Sequence, residues 1–280
     1  MKIRFDAGVS RIVGWKVDPR GEKIPQSQQD SFIVSEKLGL FVVFDGVGGH
    51  AGGEVASAMA ATLLEESFTL LIQVLEVEAA QREPYRIQSE IEAALRRASR
   101  AIYHAGRRDP ALDYMATTVS GVFFYEGTAY YFNVGDSRCY REQNGEFEQM
   151  TRDHSYVADQ LYEGLITAEE ARNHPDRGGM HAALGFRDIS DYVDVRYTPS
   201  QPGDGWIICT DGLVDYADPD RWEVVASSQL RRGICTDEIA TTLTNLTTAE
   251  AGIPLGSFPG EYYDYNRCDN TTVIALRICR

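Results

Sequence analysis

Short apolar runs with hydrophobic residues at consecutive positions constrain this chain more than any other feature of its sequence. In Leu40 to Phe44 and in Trp206 to Cys209, both faces of an extended strand would be apolar, so each face needs a covering layer. One face can pack on a second sheet while the other packs on helices. The runs therefore predict a β-sandwich enclosed between layers of helices.

Strands are predicted wherever such a run is bounded by polar or turn residues. They are Ser31 to Val34, Leu40 to Phe44, Thr118 to Tyr125, Ala129 to Val134, Cys139 to Arg141, Tyr192 to Tyr197, Trp206 to Cys209 and Thr272 to Ile278. Glu126 and Gly127 separate the third strand from the fourth, which predicts a tight hairpin. At least this pair of strands is therefore expected to be antiparallel.

Two long amphipathic helices are predicted between the second strand and the third. The first begins near Glu54 and the second just after Pro84, and in both the apolar residues recur every three or four positions. Shorter helices are predicted at Tyr156 to Tyr162, Ala168 to Asn173, Pro219 to Ser227 and Thr236 to Thr247. Strands and helices occur in blocks rather than in strict alternation, so the fold class is expected to be α+β. No repeat or linker interrupts the sequence, so residues 1–280 are expected to form a single domain.

The charge balance argues against several classes of protein. Lys and Arg number 27 and Asp and Glu 42, giving a net charge of −15, which disfavours binding to nucleic acids or to anionic membranes. The longest apolar run, Leu38 to Phe44, is far shorter than the roughly 20 residues that span a bilayer. Met1 to Asp6 lack the apolar region of a secretory signal, and the five cysteines form no C-x-x-C pair. A cytoplasmic protein with reduced thiols is expected.

Five aspartates lie at the ends of the predicted strands. Asp45, Asp136 and Asp211 follow apolar strands, whereas Asp30 and Asp269 precede strands. In an antiparallel sheet the end of one strand lies beside the start of its neighbour. All five carboxylates are therefore expected at one rim of the sandwich.

Carboxylates gathered at one rim repel one another and raise each other's pKa unless a cation neutralises them. No His/Cys cluster favours zinc, and carboxylate oxygens suit Mg²⁺ or Mn²⁺. Two other interpretations stay open. A single aspartate beside a glycine at a strand end is usually a turn residue. An acidic rim can also hold Ca²⁺ in a structural module, although these aspartates come from distant segments.

The segment DGVGGHAGGEVAS, from Asp45 to Ser57, resembles the D-G-x-G-G-H-x-x-G-E-x-A-S signature of bacterial metal-dependent Ser/Thr protein phosphatases, the PPM or type 2C family. Further segments resemble the family's motifs in the same order. They are Ala116 to Thr118, Asn133 to Arg138, Thr151 to Ser155, Cys209 to Asp215 and Asp269 to Ile274. The resemblance implies a central antiparallel β-sandwich flanked by antiparallel helix pairs, an αββα arrangement of four layers.

The resemblance also implies a set of metal ligands. They are Asp30, Asp45, Gly46, Asp136, Asp211 and Asp269. Asp45 would bridge two catalytic Mn²⁺ or Mg²⁺ ions, Gly46 would contribute its carbonyl, and Asp136 would belong to an outer site for a third ion. Two ions can hold the phosphate oxygens and generate hydroxide between them. The implied reaction is direct attack of a metal-bound hydroxide on phosphoserine or phosphothreonine, with no nucleophilic side chain.

One departure from the family pattern affects substrate binding. The family usually carries a phosphate-binding arginine five residues before the position of Asp30, and here that residue is Pro25. Arg20 or Lys23 are the candidate replacements, although an ammonium does not reproduce the paired hydrogen bonds of a guanidinium.

The function expected from the resemblance is that of a cytoplasmic protein phosphatase in bacterial signal transduction. Its expected partners are phosphorylated proteins, namely a Ser/Thr kinase or the targets of that kinase, and not nucleic acid or membranes. The alternative is a pseudophosphatase that keeps the fold and binds or regulates a kinase or another partner. The complete set of aspartates argues against this alternative, and the absent arginine argues for it.

Overall fold

The computed structural model describes residues 4–17, 20, 22–47, 51–78, 82–172, 174–250 and 267–279. The strands are β1 (Arg4–Ile12), β2 (Trp15–Val17), β3 (Lys23–Pro25), β4 (Ser31–Ser35), β5 (Leu40–Phe44), β6 (Gly46–Val47), β7 (Ala116–Thr117), β8 (Val119–Tyr125), β9 (Thr128–Val134), β10 (Arg138–Gln143), β11 (Glu146–Gln149), β12 (Asp194–Pro199), β13 (Gly205–Cys209), β14 (Arg267–Cys268) and β15 (Thr271–Cys279). The α-helices are α1 (Ala51–Val77), α2 (Pro84–Gly106), α3 (Tyr156–Tyr162), α4 (Ala168–Arg172), α5 (Asp211–Tyr216), α6 (Pro219–Arg232) and α7 (Thr236–Glu250).

Two five-stranded antiparallel sheets form the centre of the molecule. Their strand orders are β1-β15-β13-β10-β11 and β12-β9-β8-β5-β4. Phe41 and Val43 of β5 belong to the same buried cluster as Trp206 and Ile208 of β13, which fills the space between the sheets. Every residue of β5 and β13 is buried, as consecutive apolar positions require. The predicted sandwich is confirmed.

Helices cover both outer faces of the sandwich. Leu64 and Phe68 of α1 and Ile91 of α2 lie in one buried cluster with the sheet that contains β5. Trp222 of α6 and Leu243 of α7 lie in another cluster with the sheet that contains β13. The helices α1 and α2 pack on each other across a short connection, which makes them antiparallel neighbours. The expected four layers, αββα, are confirmed.

The predicted strands and helices are present, with shifts of a few residues at most ends. The hairpin at Glu126 and Gly127 is confirmed, and both residues have the positive φ that a two-residue turn between twisted strands requires, 45° and 80°. The strand predicted from Tyr192 begins at Asp194 because residues 190–192 form a 3₁₀ turn. The predicted end of α4, Asn173, lies outside the described residues.

Helix α1 is long and rich in apolar residues. By length and composition alone, Gly52–Val77 is apolar enough to cross a bilayer. The helix was missed as an uninterrupted apolar run because Glu65 and Glu66 interrupt its apolar residues. The residues that raise the hydropathy include Leu64 and Phe68, which are buried against the sheet.

A buried ion pair connects the two sheets at the end of the sandwich away from the aspartates. Arg141 of β10 donates to the carboxylate of Asp204 (2.6 Å) and to the carbonyl of Pro199 at the end of β12 (2.8 Å). The same carboxylate accepts from the side chain of Gln143 (3.0 Å) and from the N–H of Gln201 (3.1 Å). A buried pair stabilises when further hydrogen bonds satisfy its remaining donors and acceptors. Here several partners do so, and Arg141 Nε is the exception, with no partner among the described residues.

Candidate metal centre

Asp45 directly follows β5, and hydrogen bonds to neighbouring strands hold its main chain. Its N–H donates to Thr118 Oγ1 (3.0 Å), and its carbonyl accepts from the Thr118 N–H (2.8 Å) and from Thr117 Oγ1 (2.8 Å). Because three bonds fix the backbone, the position of this aspartate is set by the sheet.

Gly46 lies against the first turn of α1. A Cβ on Gly46 would overlap Gly53 and lie 2.6 Å from the Gln29 carbonyl oxygen, and a Cβ on Gly53 would lie 2.7 Å from the Gly46 carbonyl oxygen. Residues without a side chain are therefore required at both positions. The contact joins the loop after β5 to the start of α1, although residues 48–50 of the signature lie outside the described residues.

Asp30 directly precedes β4 and is buried. Its Oδ2 accepts hydrogen bonds from Thr210 Oγ1 (3.2 Å) and Thr272 Oγ1 (2.7 Å). Its main-chain carbonyl accepts from the guanidinium of Arg11 (3.1 Å). Because Thr210 comes just before Asp211 and Thr272 lies close after Asp269, these bonds bring three of the predicted aspartates to one place.

Asp211 begins the short helix α5, with Thr210 as its N-cap residue. The next residue, Gly212, packs against the Asn270 carbonyl, and a Cβ there would lie 2.5 Å from Thr271 Oγ1. The carboxylate of Asp269 accepts from the Asn270 N–H (2.8 Å). The close contact at Gly212 therefore places the start of α5 beside the loop that carries Asp269.

Asp136 lies in the turn after β9. Close packing and hydrogen bonds of the preceding residue, Gly135, hold this turn in place. Gly135 has a φ of +111°, and a Cβ on it would lie 2.8 Å from Thr118 side-chain atoms. Its N–H donates to His154 Nδ1 (3.1 Å), and its carbonyl accepts from the side chain of Asn133 (2.9 Å). Burial lowers the pKa of His154, which favours the neutral imidazole that this hydrogen bond needs.

Burial is the largest cause of raised pKa values among the aspartates. It raises the pKa of Asp30 to about 7, with a further increase from the charge of Asp269 and a decrease from the two threonine hydrogen bonds. It raises the pKa of Asp136 to about 7, with further increases from the charges of Asp153 and Asp215. Both carboxyls are therefore costly to ionise in the folded protein.

Asp45 and Asp211 both lie among the charges of other aspartates. Burial raises the pKa of both well above the ordinary value, and charges of neighbouring aspartates raise it further. A hydrogen bond between the two carboxyl groups lowers the pKa of Asp45. Two carboxyl groups share a hydrogen bond only when one of them is protonated, so a site in which both are ionised favours a bound cation. The predicted rim is thus present: Asp30, Asp45, Asp136, Asp211 and Asp269 act on one another electrostatically.

Carboxylate oxygens without hydrogen-bond partners indicate which ligand the aspartates can bind. One carboxylate oxygen each of Asp30, Asp136 and Asp211 is buried and has no hydrogen-bond partner in the described part of the chain. Among the described residues, no three His, Cys, Asp or Glu side chains converge at the spacing of a formed metal site. Ionised carboxylates repel one another until a cation lies between them. The donor set is hard oxygen, which fits Mg²⁺ or Mn²⁺.

Four charged residues near the rim were not assigned from the sequence. Asp215 lies one turn after Asp211 on α5, and burial and nearby carboxylates raise its pKa. Asp153 forms a two-pronged ion pair with Arg138 (2.7 Å at its shortest). The four-residue spacing of Asp211 and Asp215 was a usable signal, since such residues share a helix face. Nothing local in the sequence indicates that Arg11 reaches Asp30.

The two candidate phosphate-binding residues precede Asp30 and are exposed, Arg20 in a turn and Lys23 at the start of β3. Arg20 forms an ion pair with Glu22 (3.5 Å). The ammonium of Lys23 lies 3.6 Å from the centre of the Trp15 ring, a cation–π contact. Neither cation is among the main charges that act on the pKa values of Asp30 or Asp45. Their role in binding phosphate stays a prediction.

Comparison with known proteins gives one consistent result. The model of the family described as Protein phosphatase 2C matches residues 23–245. The chain is 31% identical over 198 residues to the serine/threonine phosphatase Stp of Listeria innocua, covering 71% of this chain and 75% of that protein. It is 32% identical over 189 residues to the serine/threonine protein phosphatase PstP of Mycobacterium tuberculosis, covering 68% of this chain and 34% of PstP.

Solved structures agree with these matches. A crystal structure of Mycobacterium tuberculosis PstP has a TM-score of 0.76 at 25% identity and covers 99% of this chain and 100% of that one. A second structure, of the PstP catalytic domain in complex with two manganese ions, has a TM-score of 0.75 at 23% identity, with coverage of 99% and 100%. The fold, the ordered motifs and these matches lead to one conclusion: the chain belongs to the protein phosphatase 2C family of bacterial Ser/Thr protein phosphatases.

Proposed function

We propose that this chain hydrolyses phosphoserine and phosphothreonine on proteins with the help of divalent cations, Mn²⁺ or Mg²⁺, bound at the aspartate rim. The observation that carries the proposal is the set of buried, unpartnered carboxylate oxygens of Asp30, Asp136 and Asp211. A buried charge without a partner is costly, and a divalent cation supplies the missing partner. The manganese ions reported for the PstP catalytic domain support the same choice of metal.

The proposed ligands divide into two groups. Asp45, the Gly46 carbonyl, Asp211 and Asp269 would hold a pair of ions, with Asp30 beside them. Asp136, which shares the electrostatic environment of Asp211, would hold a third. Both groups draw on segments that are far apart in the chain, so the site exists only in the folded protein.

When bound, the ions supply positive charge to the phosphate oxygens and bring a water molecule close to ionisation at neutral pH. The residues of the chain prepare the site for this chemistry. The sheet fixes Asp45 through Thr117 and Thr118, and the carboxylates confine the positive charge to one end of the sandwich. No side chain needs to act as a nucleophile.

We propose a cytoplasmic protein that acts on a Ser/Thr kinase or on the targets of such a kinase. The charge of −15 supports phosphoprotein rather than nucleic-acid partners, and Cys139 and Cys209 are free and buried. Burial raises the pKa of Cys209 to about 12, which favours an unreactive thiol.

Phosphate release from a phosphothreonine peptide tests the proposal. We expect release with Mn²⁺ and none with EDTA, because the aspartates cannot bind a phosphate dianion without an intervening cation. Turnover in excess EDTA at the rate seen with Mn²⁺ would contradict the metal-dependent mechanism.

A pseudophosphatase remains the second candidate. Pro25 replaces the usual arginine, and Lys23 is held over Trp15 rather than placed beside Asp30. Turnover of p-nitrophenyl phosphate with Mn²⁺ separates the two candidates, since a pseudophosphatase would bind its partner without hydrolysing this small ester.

We retain the proposal that Arg20 or Lys23 contacts the substrate phosphate. If one of these two residues contacts the phosphate, replacing it with alanine is expected to raise the KM for a phosphothreonine peptide by ~10-fold or more. The kcat should change little, because the lost interaction is a charge-assisted hydrogen bond to the bound substrate. Steady-state kinetics of Arg20→Ala and Lys23→Ala measure this, with Glu22→Ala as the control. An unchanged KM in both variants would show that both cations are solvated loop charges.

A further inference from the structure

The strand β4 is an unusual sheet edge. The two five-stranded sheets end in β1, β11, β12 and β4. The first three edges carry charged side chains, namely Arg4, Asp6 and Arg11 in β1, Glu146 and Glu148 in β11, and Asp194 and Arg196 in β12. The strand β4 reads Ser-Phe-Ile-Val-Ser and has no charge and no proline. Charges and prolines are the usual protection of an edge against pairing with another chain, and β4 lacks both.

The outer side of β4 is open to hydrogen bonding. Its inner side pairs with β5, from Ser31 with Phe44 to Ser35 with Leu40. In the parts of the chain that the structure describes, no further group bonds to the main-chain N–H or C=O groups of residues 31–35. Alternate residues of an edge strand direct both groups outward. An extended segment can therefore pair with β4.

A groove lies beside this edge. It has a volume of about 830 Å³, and Phe32, Ile33 and Val34 form one wall. Residues of α1 form the other wall in two rows of four-residue spacing. The rows are Ala61, Glu65 and Thr69, and Thr62, Glu66 and Leu70. The groove thus combines an unpaired strand edge with a helix face, which is the arrangement that accepts an added strand.

The charge of the groove indicates what kind of segment it takes. Glu65 and Glu66 are exposed, and among the described residues neither has an ion-pair partner. Leu70, at one end of the groove, is 62% exposed. The guanidinium of Arg11 lies over the ring of Phe32, a groove residue, and donates to the Asp30 carbonyl, so this cation lies at the Asp30 end of β4 while the two glutamates lie on the α1 wall. Basic and apolar side chains on an extended segment complement this surface.

We propose that the groove docks an extended segment of the phosphoprotein substrate, which carries Lys or Arg and an apolar residue and pairs with β4 as a sixth strand. This inference rests on the proposed phosphatase function. The strand β4 starts at the residue after Asp30, so the groove continues directly from the aspartate rim. At about 3.3 Å per residue, Phe32 to Val34 lie roughly 7 to 13 Å from Asp30. The docked residues are therefore about two to four positions from the phosphorylated residue.

Three matched phosphothreonine peptides test the docking. The first carries two lysines and a valine within five residues of the phosphothreonine, the second has glutamate in place of both lysines, and the third repeats the first with N-methylated amides at alternate residues. The enzymes are the wild type, the double variant Glu65→Lys/Glu66→Lys, and Glu76→Lys as a control on the exposed far part of α1. The readouts are kcat/KM for each peptide and for p-nitrophenyl phosphate.

We expect the wild type to favour the lysine peptide over the glutamate peptide through KM, and the double variant to lose about 10-fold in kcat/KM on the lysine peptide. The N-methylated peptide is expected to lose about 5-fold or more in the wild type, because its strand hydrogen bonds cannot form. Turnover of p-nitrophenyl phosphate should be unchanged in every variant, and Glu76→Lys should match the wild type with every peptide.

The docking proposal is overturned if the double variant keeps the wild-type preference for lysine, or if the N-methylated peptide is processed as well as its parent. The phosphatase assignment fails separately, if p-nitrophenyl phosphate is not hydrolysed with Mn²⁺. In that case the affinities of the unphosphorylated peptides, measured by fluorescence anisotropy, still test the groove. Tighter binding of the lysine peptide than of the glutamate and N-methylated peptides would support docking, and equal affinities would reject it.

Discussion

Asp211→Asn is expected to lower phosphatase activity by on the order of 10²–10³-fold while raising the melting temperature of the metal-free protein. The two effects have one cause. The carboxylate of Asp211 is buried, has an unpartnered oxygen, and is repelled by Asp45, Asp269 and Asp136. Asparagine has nearly the same shape, carries no charge, and can donate to Asp45. It therefore relieves repulsion in the metal-free state and removes a ligand from the metal-bound state.

The measurements are kcat/KM for a phosphothreonine peptide with Mn²⁺ and thermal unfolding with and without Mn²⁺. Asp269→Asn is expected to lose activity in the same way, and Asp191→Asn, at an exposed turn, is the control. Loss of activity together with a lower metal-free melting temperature would indicate damage to the fold rather than to a metal site. Wild-type activity in either rim variant would contradict the assignment of that aspartate.

The second large effect is a pH-dependent stabilisation by Mn²⁺. The pKa values of Asp30 and Asp136 are raised from 3.8 to about 7 by burial, so the folded metal-free state binds protons more tightly than the unfolded chain. The stability that these groups contribute is fully present below pH 4 and is lost as the pH rises through about 7. The metal-free protein is therefore expected to become less stable over this range.

Mn²⁺ should reverse this loss, because it neutralises the carboxylates that ionise. At a cation concentration 100-fold above Kd the gain is ~2.7 kcal/mol, which corresponds to a rise in melting temperature of roughly 5 to 10 °C for a domain of this size. Differential scanning fluorimetry at pH 5.5 and pH 8, with sodium chloride of equal ionic strength as the control, measures the effect. A shift that is equal at both pH values, or larger at pH 5.5, would contradict the role assigned to the aspartates.

Much of the architecture was predictable because a strand that is buried on both faces has apolar residues at consecutive positions. The strands β5 and β13 are apolar at nearly every position, and the structure buries all of their residues. The strand β1 was missed because it is an edge strand with three charged residues and only partial burial. It forms through its long pairing with β15, a contact between the two ends of the chain that no local pattern reveals.

The candidate site was predictable to a different extent. The positions of the aspartates at strand ends were enough to expect one rim, because strand direction follows from the hairpin and from the sheet. The contacts that hold these aspartates in place could not be predicted. Thr210 and Thr272 reach Asp30 across more than half of the chain, and Arg11 reaches it from another strand. Such contacts depend on the register between strands, which a single sequence leaves open.

The ion pair of Arg141 and Asp204 gives the sandwich unequal ends. At that end a buried cation and anion bind the two sheets to each other through main-chain and side-chain partners. At the opposite end the sheets meet across groups of like sign, which push apart. We therefore expect the separation of the two sheets in the metal-free protein to vary least at the Arg141 end and most at the aspartate rim, so that the spacing of the proposed metal ligands can adjust while the core stays packed.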